Sequence, residues 1–189
     1  ELRTKPFHFV LIGGWATYLW TRQHKSKDID IIIPEFSDLE YLKQEYDLKK
    51  NDSLKKYEIP FGEVDVDIYV PHYSKFLLPF PEITKNTTVI EGIPVVAPEV
   101  LLLLKQGAEQ DREHSMKGLK DRIDIMTLAL FAPVNFRTYH ELLHRHNLQH
   151  LLPRLKAIIA GFTEINYLGL TPREYKMRKK AVLEELRKK

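Results

Sequence analysis

Two short acidic segments hold the residues best suited to chemistry. The first is Lys25-Ser26-Lys27-Asp28-Ile29-Asp30 and the second is Glu63-Val64-Asp65-Val66-Asp67-Ile68-Tyr69-Val70. In an extended strand, residues i and i+2 share a face. Asp28 and Asp30 therefore point the same way, while Ile29, Ile31 and Ile33 point toward the core. Two ionised carboxylates side by side repel each other, and a bivalent cation relieves that repulsion. Mg²⁺ suits such a pair because it prefers oxygen ligands and keeps positions open for water and substrate phosphates. A third carboxylate from a neighbouring strand lets two ions sit about 4 Å apart and clamp the attacking and leaving oxygens of an in-line phosphoryl transfer. Asp65 and Asp67 share one face of their strand, so either can supply it. Gly13-Gly14 meets a second need. Without a Cβ, backbone N–H groups can approach phosphates closely, and a helix that follows adds its positive end. An Asp-x-Asp at a strand start is often only a solvated end. The order glycine pair, Asp-x-Asp, then a second acidic strand is more specific than any one part.

These groups need strands and helices to hold them. Residues 7–12 form an apolar run that stops at Gly13-Gly14, the pattern of a buried strand, and a helix is expected over residues 15–22. Residues 28–33 read as a second strand ended by Pro34. Ser37-Asp38-Leu39-Glu40 has the form of a capping box and predicts a helix to about Tyr46. Residues 55–59 and 63–70 read as strands joined by a turn at Pro60-Phe61-Gly62, and residues 87–91 and 93–97 as a hairpin around Gly92. From Pro98 onward the pattern is helical: residues 98–108, a charged stretch 109–118, then helices over 119–131, from Asn135 to about His146, and over 148–160. Thr171-Pro172-Arg173-Glu174 joins an N-cap, a first-turn proline and a glutamate three after the cap. The helix that follows sets Tyr175, Val182, Leu183 and Leu186 on one stripe. The composition shift near Ala97 predicts two parts, residues 1–97 and 98–189.

The chain has 189 residues, of which 43% are hydrophobic and 29% charged, a globular balance rather than a disordered one. It has no cysteine, which excludes disulfides and thiolate metal sites. The opening ELRTKPFHFV lacks the pattern of a signal peptide, and the longest apolar runs, at residues 29–33 and 100–104, are far too short to span a bilayer. The expectation is a cytoplasmic protein with no membrane partner. A net charge of +3 permits a nucleotide or nucleic-acid partner without requiring one.

Gly13-Gly14, thirteen intervening residues and then Asp28-Ile29-Asp30 resemble the signature of the DNA polymerase β-type nucleotidyltransferase superfamily. The segment at residues 25–30 is similar to that family's basic-hydroxyl-x-Asp-x-Asp strand. Residues 95–105 (VVAPEVLLLLK), followed by Lys117-Gly118-Leu119-Lys120-Asp121-Arg122-Ile123-Asp124-Ile125, resemble the helical part of the abortive-infection toxin branch, and antibiotic-modifying nucleotidyltransferases share the pattern. The resemblance spans roughly residues 7–130. It implies an α/β fold, a nucleotidyltransferase-type mixed sheet flanked by helices, with a C-terminal helical region. It implies Mg²⁺, or Mn²⁺, on Asp28, Asp30 and Asp67. Asp67 is the preferred third carboxylate because residues 68–70 continue its strand as in the family, and it would assist deprotonation of an acceptor hydroxyl. Gly13, Gly14 and Lys105 would contact nucleoside triphosphate phosphates, Ser26 would be a phosphate or metal-shell contact, and Asp121 would lie near the site. The implied reaction is transfer of a nucleoside monophosphate to a hydroxyl of RNA (a tRNA end included), of a protein or of a small molecule. An antitoxin partner is implied by the toxin branch. The sequence departs from the family in having Gly-Gly where many relatives have Gly-Ser, and Lys25 where many have arginine. On the residues alone, Lys105 also reads as a snorkelling lysine, and Asp121 and Asp124 as solvated groups or partners of Lys120 and Arg122.

A second metal motif competes. His140-Glu141-Leu142-Leu143-His144 matches H-E-x-x-H, in which two histidines on one helix face bind zinc and the glutamate acts as base. His150 falls where the longer metzincin pattern has a third ligand, with Asn147 at its glycine position. This zinc-peptidase reading ranks below the first. Eight histidines make a chance match common, Leu142 and Leu143 fit an ordinary amphipathic helix, and no methionine turn follows. A third reading keeps the nucleotidyltransferase fold as a non-catalytic nucleotide- or RNA-binding module. The cost of clustering Asp28 with Asp30 for no purpose argues against it.

Overall fold

The structure is a computed structural model that describes residues 6–188. The chain divides into two compact units, one comprising the chain through Leu19 together with His24–Ala97, the other Trp20–Gln23 and Pro98 onward.

The first unit is built on a seven-stranded mixed sheet. In chain order its elements are β1 (Val10–Ile12), α1 (Gly13–Thr21, whose end passes into the second unit), β2 (Ile29–Ile32), α2 (Phe36–Glu45), β3 (Lys49–Asn51), β4 (Lys56–Phe61), β5 (Val64–Tyr69), α3 (Phe80–Lys85), β6 (Thr87–Ile90) and β7 (Ile93–Val96). The strands lie in the order β3-β4-β5-β2-β1-β7-β6. β2 is thus central. Its antiparallel neighbour β1 pairs Ile12 with Asp30, and its parallel neighbour β5 pairs Asp30 with Asp67. A central strand is covered on both faces, so its apolar residues need not alternate. Ile31, Ile32 and Ile33 are all fully buried, whereas Ile29 is only half-buried. This departs from the simple alternation expected. The aspartate face of β2 runs from solvent at Asp28, through half-buried Asp30, into the core at Ile32.

Several sequence expectations are corrected locally. α2 begins at Phe36 with Glu35 at its N-cap and no side-chain capping bond. The expected box at Ser37 does not form because Asp38 is turned inward, accepting a hydrogen bond from the His8 N–H at 3.0 Å. The β4–β5 turn lies at Gly62-Glu63, pairing Phe61 with Val64. Gly62 adopts φ +68°, the left-handed geometry that a two-residue hairpin turn takes at its first position.

The second unit is helical: α4 (Pro98–Asp111), α5 (Met116–Phe131), α6 (Phe136–Arg145), α7 (Leu151–Gly161), a short 3-10 turn (Ile165–Leu168) and α8 (Pro172–Glu185). Val100, Leu101, Leu102 and Leu103 are all buried, so α4 is covered around most of its circumference, as an all-apolar turn requires. The expected charged stretch is instead the end of α4 and the start of α5. Ion pairs tie it into the helical unit: Glu109 with Arg122 and Arg154, and Arg112 with Asp121. The Thr171 capping box of α8 forms with both reciprocal bonds. The predicted stripe buries Tyr175, Val182 and Leu186, with Leu183 half-buried.

Polar pins fix the helical core. The Tyr139 hydroxyl donates to Gln106 Oε1 at 2.7 Å, and Gln106 Nε2 donates to the Leu151 carbonyl at 3.0 Å, with both side chains fully buried. Tyr139→Phe removes one donor and strands a buried acceptor, at a cost of about 1–3 kcal/mol. Each kcal/mol lowers Tm by about 2–4 °C in a chain of this size. Calorimetry on the variant should show a fall in that range, while Tyr139→Phe combined with Gln106→Leu recovers part of it by removing both partners. No helix among the described residues is long and apolar enough to cross a membrane.

Candidate active site

The sheet pairing brings four carboxylates to neighbouring positions. Asp30 on β2 pairs with Asp67 on β5, which pairs with Glu58 on β4. Three adjacent strands thus carry a row of acids at one level, with Asp28 exposed just before β2. The charge of Asp28 adds to the rise in the pKa of Asp67. Asp65 pairs with Pro60 and is exposed.

Gly13 and Gly14 abut this row. Because β1 ends at Ile12 opposite Asp30, the next residue must pass the Asp30 side chain. A Cβ on Gly13 would lie 2.0 Å from Asp30 Oδ2, and Gly13 has φ +67°. A Cβ on Gly14 would lie 2.7 Å from Ser26 Cβ. Ser26, which the sequence placed near phosphate, therefore lies against the glycine pair, while Lys25 Nζ sits 5.2 Å from the Tyr18 ring centre and 5.8 Å from that of Trp15.

Three residues of this site escaped the sequence reading. Tyr69 donates its hydroxyl to Asp30 Oδ1 at 3.3 Å. Lys56 Nζ donates to Asp67 Oδ2 at 2.5 Å and lies 3.0 Å from Glu58 Oε1. Burial opposes the charge on Lys56, but the hydrogen bonds to Asp67 and Glu58 outweigh it and raise its pKa. Glu58 is lowered by Lys56 and by Asn51. Asp67 is raised, because burial opposes its charge more than Lys56 supports it, and the charges of Glu58 and Asp28 add to the rise. An ion pair alone would push the Asp67 carboxyl down; burial prevails here.

The donor set at Asp28 and Asp30 suits a hard divalent cation, being carboxylate oxygen within reach of solvent. Among the described residues, however, no three His, Cys, Asp or Glu side chains converge closely enough to hold an ion. Asp67 is drawn to an ammonium that already supplies a positive charge.

Lys105 and Asp121 belong to the helical unit. Lys105 Nζ is 2.5 Å from Asp124 and 3.7 Å from Asp121, and Asp121 is held bidentately by Arg112 at 2.6 and 2.9 Å. The partners of these aspartates are thus Lys105 and Arg112, not Lys120 and Arg122.

The histidine motif does not assemble. Glu141 pairs with Arg137 at 3.5 Å, His144 Nδ1 lies 3.4 Å from Gln149 Nε2, and His150 is exposed at the cap of α7. Asn147 has φ +57° and closes α6: its N–H bonds to the His144 carbonyl, and the Leu148 N–H to the Leu143 carbonyl. This paired pattern is a helix C-terminal motif. It accounts for the asparagine without a metal.

Burial, reinforced by the charge of Lys156, holds the His140 imidazole below the usual histidine value, against an opposing hydrogen bond to the Leu186 backbone. A folded pKa below the unfolded one means that the unfolded chain binds more protons as pH falls, so this stability is present above about pH 6.5 and is lost below it. Melts at about pH 7 and about pH 5 should show wild type losing more stability than His140→Gln.

Comparison with known proteins agrees with the sheet topology. No family profile matches the chain, and no curated protein does. Among solved structures, a Helicobacter pylori protein provisionally described as a nucleotidyltransferase matches with a TM-score of 0.53 at 17% identity, covering 98% of this chain and 90% of its own. The Helicobacter pylori protein JHP933 matches with a TM-score of 0.50 at 17% identity, covering 98% and 87%. At such identity the likeness concerns the fold, and the chain has the α/β nucleotidyltransferase fold.

Proposed function

We propose that the chain transfers a nucleoside monophosphate from a nucleoside triphosphate to an acceptor hydroxyl, using the site built on β2, β5 and the glycine pair. The observation that carries this reading is the seating of Gly13 directly against the Asp30 carboxylate, with Asp67 at the same level on the next strand. That arrangement brings the backbone of the glycine pair against the acids, where even a methyl group on Gly13 would collide with Asp30. In the reaction the acceptor oxygen bonds to the α-phosphorus, the bond to the pyrophosphate oxygen breaks, and the hydroxyl proton passes to Asp67. A raised carboxyl pKa favours that proton transfer. Asp28 and Asp30 would hold Mg²⁺ or Mn²⁺, which would supply charge neutralisation for the triphosphate. Gly13 and Gly14 would present backbone N–H groups to the phosphates, with Ser26 as a further contact. The Tyr69 hydroxyl orients Asp30. The proposal gives Asp121 no step, because it is buried and tied to Arg112.

RNA is the acceptor we favour, since α8 exposes Arg173, Lys176 and Lys180. A toxin-like role in the cytoplasm with a separate antitoxin extends the same reading. The test is incubation with each α-labelled triphosphate and Mg²⁺, offering total RNA, protein extract and the chain itself. Labelled acceptor that depends on Asp28 and Asp30 supports the proposal. One observation favours the non-catalytic alternative, namely the commitment of Asp67 to Lys56. Triphosphate binding without label on any acceptor would decide for it.

A further inference from the structure

We infer that Lys56 takes the place of a second metal ion, so that the site holds one divalent cation, at Asp28 and Asp30. The inference rests on the proposed nucleotidyl-transfer reading and specifies its metal content. Sheet register sets Glu58, Asp67 and Asp30 in a row across β4, β5 and β2. Like charges directly opposite each other on neighbouring strands repel, so the row needs positive charge along its length. Lys56 lies two residues from Glu58 and shares its face of β4. Its ammonium bridges Glu58 and Asp67, at 3.0 and 2.5 Å, with only 12% of the lysine side chain and 12% of that of Asp67 exposed. A compact ammonium with three donors satisfies two carboxylates well. It does so at the end of the row formed by Glu58 and Asp67. At the other end, Asp28 is exposed and Asp30 half-buried, where a divalent ion can keep its waters and meet phosphate. No three-ligand cluster is found among the described residues, and the Asp67 carboxylate is engaged by the lysine.

The arrangement resembles a metal site in which a fixed organic cation has replaced one ion. The permanent charge beside Asp67 balances its carboxylate without a second ion, and the dependence of the site on divalent cation concentration is that of a single ion.

Mn²⁺ serves as the probe, with free Mn²⁺ followed by its electron paramagnetic resonance signal during titration of the full chain. Wild type and Lys56→Arg should each bind one Mn²⁺ per chain. Lys56→Met, which keeps an apolar stem but removes the charge, should bind two, and adding Asp67→Asn to it should return the count to one. Two ions in wild type, or one in Lys56→Met, would overturn the inference and leave the proposed reaction standing. Absence of any Mn²⁺ binding that depends on Asp28 and Asp30 would overturn the proposed reaction itself, and the inference with it. If Lys56→Met does not fold, the counts for wild type and Lys56→Arg decide.

Discussion

Asp28→Asn combined with Asp30→Asn is expected to lower nucleotidyl transfer by roughly a thousandfold or more while leaving the fold intact. The size follows from the role. A cation held at the reacting phosphate contributes several kcal/mol of charge stabilisation, and each 1.36 kcal/mol is about a factor of ten in rate. The fold survives for an independent reason. Asp28 is exposed and Asp30 half-buried, and asparagine at position 30 still accepts the Tyr69 hydroxyl. Removing two neighbouring negative charges also relieves their repulsion. Tm in the absence of metal should therefore stay level or rise as activity falls. Initial rates of label transfer beside calorimetry would show the two moving apart. A loss of activity that tracks a loss of stability would instead mean that the aspartates are structural.

Gly13→Ala carries the second large effect, and it damages fold and site together. The residue has φ +67°, a region that costs a residue with a Cβ about 1–2 kcal/mol. The added methyl would also lie 2.0 Å from Asp30 Oδ2 and 2.7 Å from Asp30 Cβ. Because the Asp30 Cβ is itself too close, rotating the carboxylate away does not remove the clash; β1 and β2 must shift. At about 2–4 °C per kcal/mol, the strain in φ alone lowers Tm by roughly 2–8 °C, and the displaced Asp30 removes most of the activity. Joining Gly13→Ala to Asp30→Gly deletes the clash but not the backbone strain. The two substitutions should therefore be coupled in stability, which a double-mutant cycle by chemical denaturation measures.

The aspartates were legible because alternation in a strand is short-range: Asp28, Asp30 and Asp67 can be assigned faces from their own neighbours. Lys56 and Glu58 were not, because their relation to Asp67 depends on hairpin register. A turn at Pro60-Phe61-Gly62 pairs Ile59 with Glu63, whereas the observed turn pairs Phe61 with Val64. That difference moves the pairing by an odd number of residues and turns the opposite face of β4 toward Asp67. The Ser37 capping box failed for a related reason. Asp38 found a distant partner in His8, and local rules cannot see it. β3 is three polar residues on the edge of the sheet, where no buried face imposes a pattern. α3 is a six-residue helix beginning Phe80-Pro81, too short for periodicity to register. The helical unit was read well where caps are explicit, at Asn135 and Thr171. The helical character of its charged stretch is not legible because the partners of its ions, Arg154 for Glu109 above all, lie far along the chain.

The most direct measurement is a thermal-shift comparison of wild type with the Asp28→Asn/Asp30→Asn variant, using ATP, GTP, CTP and UTP with and without Mg²⁺. A ligand that binds only the folded chain raises Tm by mass action, about 2.7 kcal/mol at a hundredfold excess over Kd. The account predicts stabilisation of wild type by at least one triphosphate, dependent on Mg²⁺ and absent from the variant. Equal stabilisation of both proteins, or none of wild type by any triphosphate, would contradict it.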